Sequence, residues 1–150
     1  RGYQIIEGSQ KSLKDSIVYS AFHHTHKDLG YLILALLVLQ FLLVLSGGAA
    51  KPGLRRALDL IQTVAVRIVG PIILLAGFYL WHKKGFSVGT WWIWVSFLLW
   101  GPMEVVGKRL VRPALELSDS EQKSGKLLLG VTLQLVIIIS IFGLMTANAG

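Results

Sequence analysis

The chain has 150 residues, of which 53% are hydrophobic, with a mean hydropathy of +0.61 and no cysteine. This composition is too apolar for a soluble domain of that length, and the lack of cysteine excludes disulfides, thiolate metal ligands and cysteine nucleophiles. The net charge of +7 comes from basic residues that stand between apolar segments, as at the flanks of membrane helices, so no nucleic-acid partner is predicted.

Residues 1–28 have the pattern of an amphipathic helix. In the stretch SLKDSIVYSAFHHTHK, apolar side chains recur at helical spacing and the lysines fall elsewhere on the wheel. Such a segment typically lies in the membrane interface, so we predict an N-terminal amphipathic interfacial helix before the first crossing. The alternative is that this arm packs on a partner subunit.

Four apolar stretches follow, each close to the roughly 20 residues that a helix needs to cross a bilayer. Lipid offers no partner to exposed backbone N–H and C=O groups, so each stretch is predicted to be a helix rather than a strand. Short connections predict an all-α membrane protein with four transmembrane helices in an up-down antiparallel bundle. The predicted helices lie at about 29–48, 57–82, 86–106 and 122–147, in a transmembrane domain of residues 29–150 that follows the arm of residues 1–28.

All four histidines fall on one predicted side of the membrane. His23, His24 and His26 precede the first crossing and His82 ends the second. Neutral imidazole ligates haem iron, zinc and copper, so His23, His26 and His82 are the candidate cofactor ligands. HHTH is not a recognised metal spacing, and no dedicated metal site is predicted. The alternative is that these rings are interfacial polar groups, hydrogen-bonded to water or headgroups.

Arg67 is the one formally charged residue well inside a predicted crossing, and Glu104 is the acid in best reach of it. Charged residues inside membranes usually face the bundle interior or a wet cavity, so the two are predicted to form a brace or a polar pathway. The alternative is that Arg67 extends to the surface or contacts another chain. No nucleophile elbow, P-loop, dinucleotide fingerprint or zinc-protease signature occurs, so no catalytic residue is predicted.

Other residues within the crossings carry structural predictions. Gly70-Pro71 predicts a kink in the second helix, because proline lacks a backbone donor and clashes with the preceding turn. Gln40 and Gln134, near the middle of the first and fourth helices, are predicted to hydrogen-bond across the bundle.

The stretches RIVGPIILLAGFYLW, TWWIWVSFLLWGPMEVV and FGLMTANAG, within residues 55–150, resemble a loose group of four-helix bacterial membrane proteins. That group includes the four-helix membrane protoporphyrinogen oxidase and the copper-resistance D domain. The oxidase uses a histidine near the start of its first helix with haem; HHTHKDLGYL is similar in its histidines but lacks the small-residue and tryptophan pattern that follows there. The resemblance implies a four-helix fold, a bacterial inner membrane and haem b as cofactor, and no catalytic residue is carried over.

Three functions are therefore expected, in this order. The first is a non-catalytic accessory or assembly subunit of a larger membrane complex, or a homo-oligomer, in the lipid bilayer. The second is a b-type haem- or metal-binding membrane redox protein that uses the clustered histidines. The third is a small transporter or channel subunit. The loops after the first and third helices are the more basic, so both termini are predicted on the non-cytoplasmic side.

Overall fold

The structure is a computed structural model that describes the backbone of residues 2–47, 51–87, 89–116 and 121–148; side chains are described for the same residues apart from 2–12 and 121–124. Within these ranges the chain is all-α and contains no strand. It forms four long helices: α1 is Gly2–Leu45, α2 is Pro52–Lys84, α3 covers residues 91–116 and α4 is Glu121–Asn148.

Three segments are long and apolar enough to cross a membrane: Leu13–Leu45, Pro52–Lys84 and Gly125–Asn148. The described chain thus has the length and composition of an integral membrane protein. The remaining helix, α3, is not among these segments and carries Glu104 and Lys108 within its length.

The N-terminal arm and the first predicted crossing are one helix. α1 runs for 44 residues without the break that was predicted near residue 28. Gly30 is the first residue after position 28 of a type that commonly ends a helix. It lies within α1 instead, and a Cβ added there would lie 4.0 Å from Ile73 and from Phe142. The apolar side chains of the arm, such as Leu13 and Ile17, are exposed rather than covered by the bundle.

Two other helix bounds differ from the sequence prediction. α2 starts at Pro52 rather than near residue 57, because proline at the first helical position has no N–H to leave unsatisfied. α3 starts at Trp91 and continues to Glu116, whereas the prediction was residues 86–106 with a loop beyond. Val111 and Leu115 in this extension are buried, so packing holds it as helix.

The predicted disturbance at Gly70-Pro71 takes the form of a π-helical segment, and a second such segment, which was not predicted, precedes Pro113. Thr63–Val69 is π-helical just before Pro71, and the N–H of Gly70 donates to the carbonyl of Ala65, five residues back. Gly107–Val111 is π-helical just before Pro113, with the same five-residue bond from Arg112 to Gly107. A proline ring clashes with the carbonyl four residues earlier, and a wider turn moves that carbonyl aside without ending the helix.

Aromatic contacts show how the helices meet. The rings of Phe22 in α1 and Tyr79 in α2 have centroids 4.2 Å apart, and Trp81 of α2 lies 5.7 Å from Trp94 of α3. Tyr31 of α1 lies 5.2 Å from Phe142 of α4. The middle of α1, the end of α2, the start of α3 and the end of α4 therefore meet at one end of the bundle, which we name the histidine end.

The interior consists of two apolar clusters with a polar layer between them. The cluster toward the histidine end includes Leu37, Ala65, Met103 and Ile138, one from each helix. The other cluster includes Val44, Leu58, Val111 and Val131. In each helix, one buried residue about a turn from each of these positions lies between the two clusters. We name these four residues the polar layer: Gln40, Gln62, Gly107 and Gln134.

Candidate functional site

A cavity of about 300 Å³ lies between the four helices at the histidine end. Its walls are mostly aromatic and aliphatic, and every helix contributes to them. We name this space the aromatic cavity; its defining residues are His26, Gly77, Trp81, Trp92, Trp100 and Phe142. Lys27 and Lys84 also line this cavity, and both residues are exposed.

His26 is the polar group most firmly held in this cavity. Its Nδ1 lies 3.0 Å from the carbonyl oxygen of Ile73 in α2. A carbonyl oxygen only accepts, so Nδ1 must carry the proton and donate it. In the neutral ring, Nε2 therefore keeps its lone pair, which can accept a hydrogen bond from a ligand or bind a metal ion.

Gly77 makes room for the His26 ring. A Cβ at position 77 would lie 2.9 Å from Cε1 and 3.4 Å from Nδ1 of His26, closer than side chains pack. Without a Cβ at position 77, the imidazole can approach α2 closely and reach the Ile73 carbonyl, which is one turn away. In the sequence, a glycine within an apolar helix indicates only close contact between helices and does not point to His26.

The predicted histidine ligands do not all meet. His23 lines the aromatic cavity with His26, and its ring stacks on Tyr19 with centroids 6.2 Å apart. His82 is exposed near the end of α2 and lies outside the cavity lining. Among the described residues, no group of three or more histidines and acids is placed to hold a metal ion.

These positions bear on haem b, which the resemblance implies. A histidine that binds a metal normally donates its second ring nitrogen to a carbonyl or carboxylate, as His26 does to Ile73. Apolar walls and nearby lysines also suit a flat macrocycle with acidic substituents. His26 could therefore hold a haem iron through Nε2, whereas His82, which lies outside the cavity lining, could not hold it together with His26.

The predicted charged pair borders a second, much smaller cleft. Arg67 and Glu104 both line a space of about 10 Å³ between α2 and α3. The Glu104 carboxylate pairs with Lys108 of its own helix at 2.7 Å, and the Arg67 side chain is exposed. Arg67 therefore lies on the outside of the bundle rather than in its interior.

Buried amides of the polar layer join the four helices in two pairs, α1 with α2 and α4 with α3. Gln40 Nε2 donates to Gln62 Oε1 at 3.2 Å, and Gln134 Nε2 donates to the Met103 carbonyl at 3.2 Å. Within the described part of the chain, Oε1 of Gln40 and Oε1 of Gln134 have no donor. Sequence reasoning found Gln40 and Gln134 but missed Gln62. Its spacing from the buried Leu58 and Ala65, at i, i+4 and i+7, would have placed it on the buried face.

Gln62→Leu is expected to lower the free energy of unfolding by about 1–2 kcal/mol, because it leaves both polar ends of the buried Gln40 amide without a partner. Gln134→Leu is the matched comparison. In Gln134→Leu the Met103 carbonyl loses this donor but still accepts from the N–H of Gly107. The substitution also removes the unsatisfied Oε1 of Gln134, so it should change the free energy of unfolding by no more than about 0.5 kcal/mol. Unfolding in mixed detergent, followed by circular dichroism, measures both; equal losses would contradict this account of the layer.

Comparison with models of protein families, with curated proteins and with solved structures finds no match to this chain. The resemblance to the four-helix bacterial group therefore stays a prediction.

Proposed function

We propose that this chain is a membrane protein of four antiparallel transmembrane helices that binds an apolar, ring-containing molecule in the aromatic cavity. The observation that carries the proposal is the cavity itself. It has about 300 Å³, mostly apolar walls and one histidine whose orientation is fixed by a backbone carbonyl. Small-molecule sites in proteins typically combine an apolar space of this size with few, well-placed polar groups.

The proposal of a fourth crossing concerns α3. Residues 91–116 span roughly 39 Å at 1.5 Å per residue, enough for the hydrocarbon core. Trp91, Trp92 and Trp94 cluster at its first turn, as in the aromatic belt at a membrane surface. Four crossings place both termini on the same side, which we propose is the non-cytoplasmic side of a bacterial inner membrane.

The proposed ligand has a flat apolar body and an acidic edge. Indole walls favour stacking on a ring, Nε2 of His26 accepts from a hydroxyl or N–H, and Lys27 and Lys84 suit a carboxylate. The proposed role is to hold this molecule as a non-catalytic subunit of a larger membrane complex. Exposed aliphatic side chains on the helices, such as Leu75 and Leu98, suit either lipid or a neighbouring subunit.

A second candidate function is binding of haem b, with His26 as an axial ligand. The hydrogen bond from Nδ1 to the Ile73 carbonyl favours it, since this bond orients the ring and raises the basicity of Nε2. Arg67 is exposed and does not line the cavity, so the arrangement gives no support to a transporter in which Arg67 lines the pathway.

The proposal is tested by titrating the purified protein in mild detergent with haem b, with metal-free protoporphyrin IX and with a short-chain quinone. Three of its five tryptophans line the cavity, so a bound ring should quench tryptophan fluorescence saturably. Tighter binding of haem than of the metal-free ring, with a Soret band typical of histidine ligation, would support the haem candidate. No saturable quenching by any of the three probes, and no ring compound extracted from protein purified from its own membranes, would refute the proposed function.

A further inference from the structure

Basic side chains from two helices meet at the surface of the bundle, at the level of the polar layer. Arg67 of α2 and Lys108 and Arg112 of α3 border the 10 Å³ cleft, which we name the basic cleft. The one acid among its lining residues is Glu104, so the cleft keeps an excess of positive charge. It lies beside the polar layer, since Gln62 and Gly107 form its inner wall.

Arg67 has no acidic partner among the described side chains. It is an exposed guanidinium within a helix that is long and apolar enough to span a membrane, and its sequence neighbour Ile68 is exposed as well. A charge on such a surface is costly unless it reaches water or a counter-ion. Glu104, the one acid among the residues that line the cleft, is already paired with Lys108 at 2.7 Å.

The other basic groups of the cleft are also available for a ligand. Arg112 makes one long contact, from Nη2 to the hydroxyl of Thr63 at 3.5 Å, and a guanidinium has five N–H donors. The Lys108 side chain remains 57% exposed despite its ion pair. The cleft has room for about one water-sized atom. A single oxygen of a tetrahedral anion can enter it while the rest of the group stays at the mouth.

We propose that the basic cleft binds the phosphate of an anionic phospholipid. Arginine and lysine between membrane helices are suited to a phosphate because they provide charge and several donors at once. Large aliphatic side chains are exposed on the same two helices, beginning beside the cleft and continuing toward the histidine end: Ile68, Leu75, Leu98 and Val105. A lipid held by its phosphate would place its acyl chains along these side chains, whereas a free phosphate would make no use of them.

The test measures binding of phosphatidylglycerol and phosphatidylcholine to the purified full chain by native mass spectrometry, with a titration for each lipid. The unmodified protein should retain phosphatidylglycerol in preference to phosphatidylcholine. Arg67→Gln and Arg112→Gln should each weaken phosphatidylglycerol binding about fivefold, which corresponds to ~1 kcal/mol. They should weaken phosphatidylcholine binding by a smaller factor, because the choline group of that lipid already offsets the charge of its phosphate.

Arg109→Gln is the matched control. Arg109 is an exposed arginine that follows Lys108 directly in α3 but does not line the cleft, so this substitution removes the same charge from the same region. It should leave phosphatidylglycerol binding within twofold of the unmodified protein. An equal loss of phosphatidylglycerol binding in Arg109→Gln would indicate general attraction to a basic surface rather than a specific site, and would overturn the proposal.

Inorganic phosphate distinguishes the two sources of the anion. At millimolar concentration it should not displace phosphatidylglycerol, because it cannot use the aliphatic surface. Full displacement by inorganic phosphate, or no preference for phosphatidylglycerol over phosphatidylcholine, would overturn the assignment to a lipid. The elution volume and helical content of each variant verify that a loss of binding is not a loss of fold, which is expected to persist because these arginines lie at least partly exposed on the surface.

Discussion

Gly70→Ala is expected to lower the free energy of unfolding by about 1–3 kcal/mol, the usual range for overpacking a filled core. An added Cβ would lie inside contact distance of Cζ2 of Trp100 and 2.7 Å from its Cη2. Trp100 is 8% exposed, belongs to the apolar cluster and lines the aromatic cavity. Its ring can move away from α2 only by entering the cavity or by parting α2 from α3.

Gly101→Ala provides the control for this prediction. Gly101 is also helical and also precedes a proline, so alanine there meets the same restriction on the residue before proline. Among the described atoms, none lies within 4 Å of a Cβ at position 101. Its effect should therefore be small, since the higher helix propensity of alanine offsets the proline restriction.

The measurement is unfolding of both variants in mixed detergent, followed by tryptophan fluorescence and circular dichroism. A double variant, Gly70→Ala with Trp100→Phe, tests the cause further. The smaller ring should relieve the contact, so the pair of substitutions should cost less than the sum of the two single ones. Equal destabilisation by Gly70→Ala and Gly101→Ala would show that the proline restriction, rather than the tryptophan contact, determines the stability.

The sequence predicts the helices of this protein better than their ends. The apolar segments around Leu37 and Ile138 can be identified from the sequence, because their side chains must be removed from water however the helices pack. The end of α3 is different, because residues 107–116 contain basic side chains typical of a loop. They stay helical because Val111 and Leu115 are buried against the rest of the bundle. Which face of a basic segment is buried depends on its neighbours.

The proline effects were only partly predictable. Pro71 indicates a disturbance in α2 from local chemistry alone, since its missing N–H and its ring act on the preceding turn. The form of the disturbance, a π-helical segment at Thr63–Val69, depends on the five-residue hydrogen bonds that the surrounding packing allows. The same reasoning applies to Pro113, for which no disturbance was predicted and which follows the π-helical Gly107–Val111.

The candidate site depends on contacts between distant parts of the chain. Grouping the histidines on one side required only the count of crossings. The cavity depends on Trp81, Trp92 and Trp100 coming from different turns of two helices and on Gly77 leaving space for His26. No spacing rule connects residue 26 with residues 73 and 77 of another helix, so the bond that fixes the imidazole was beyond sequence reasoning. His82 lies between the cavity residues Trp81 and Lys84 in the sequence, but it is on a different, exposed face of α2.

His26→Ala is expected to weaken binding of haem b to the aromatic cavity at least tenfold, which equals ~1.4 kcal/mol. The substitution removes Nε2, the lone pair proposed to contact the ligand, and leaves the aromatic walls in place. Metal-free protoporphyrin IX loses at most one hydrogen bond, so its binding should fall by a smaller factor, about twofold to fivefold. His24→Ala is the matched control, because His24 is an exposed neighbour that lies outside the cavity lining.

Gly77→Ala separates the orientation of the imidazole from its presence. The new methyl group would meet Cε1 of His26 at 2.9 Å, so the ring must turn and its bond to the Ile73 carbonyl must lengthen or break. If that bond prepares Nε2 for the ligand, haem binding should fall by a factor between those of His24→Ala and His26→Ala, measured in the same fluorescence titration. The Soret band of the haem that still binds should also shift from that of the unmodified protein, because the iron–imidazole geometry changes. Binding and spectra unchanged in Gly77→Ala would mean that the position of the ring against α2 does not matter to the ligand. An unchanged affinity in His26→Ala would go further and remove His26 from the site.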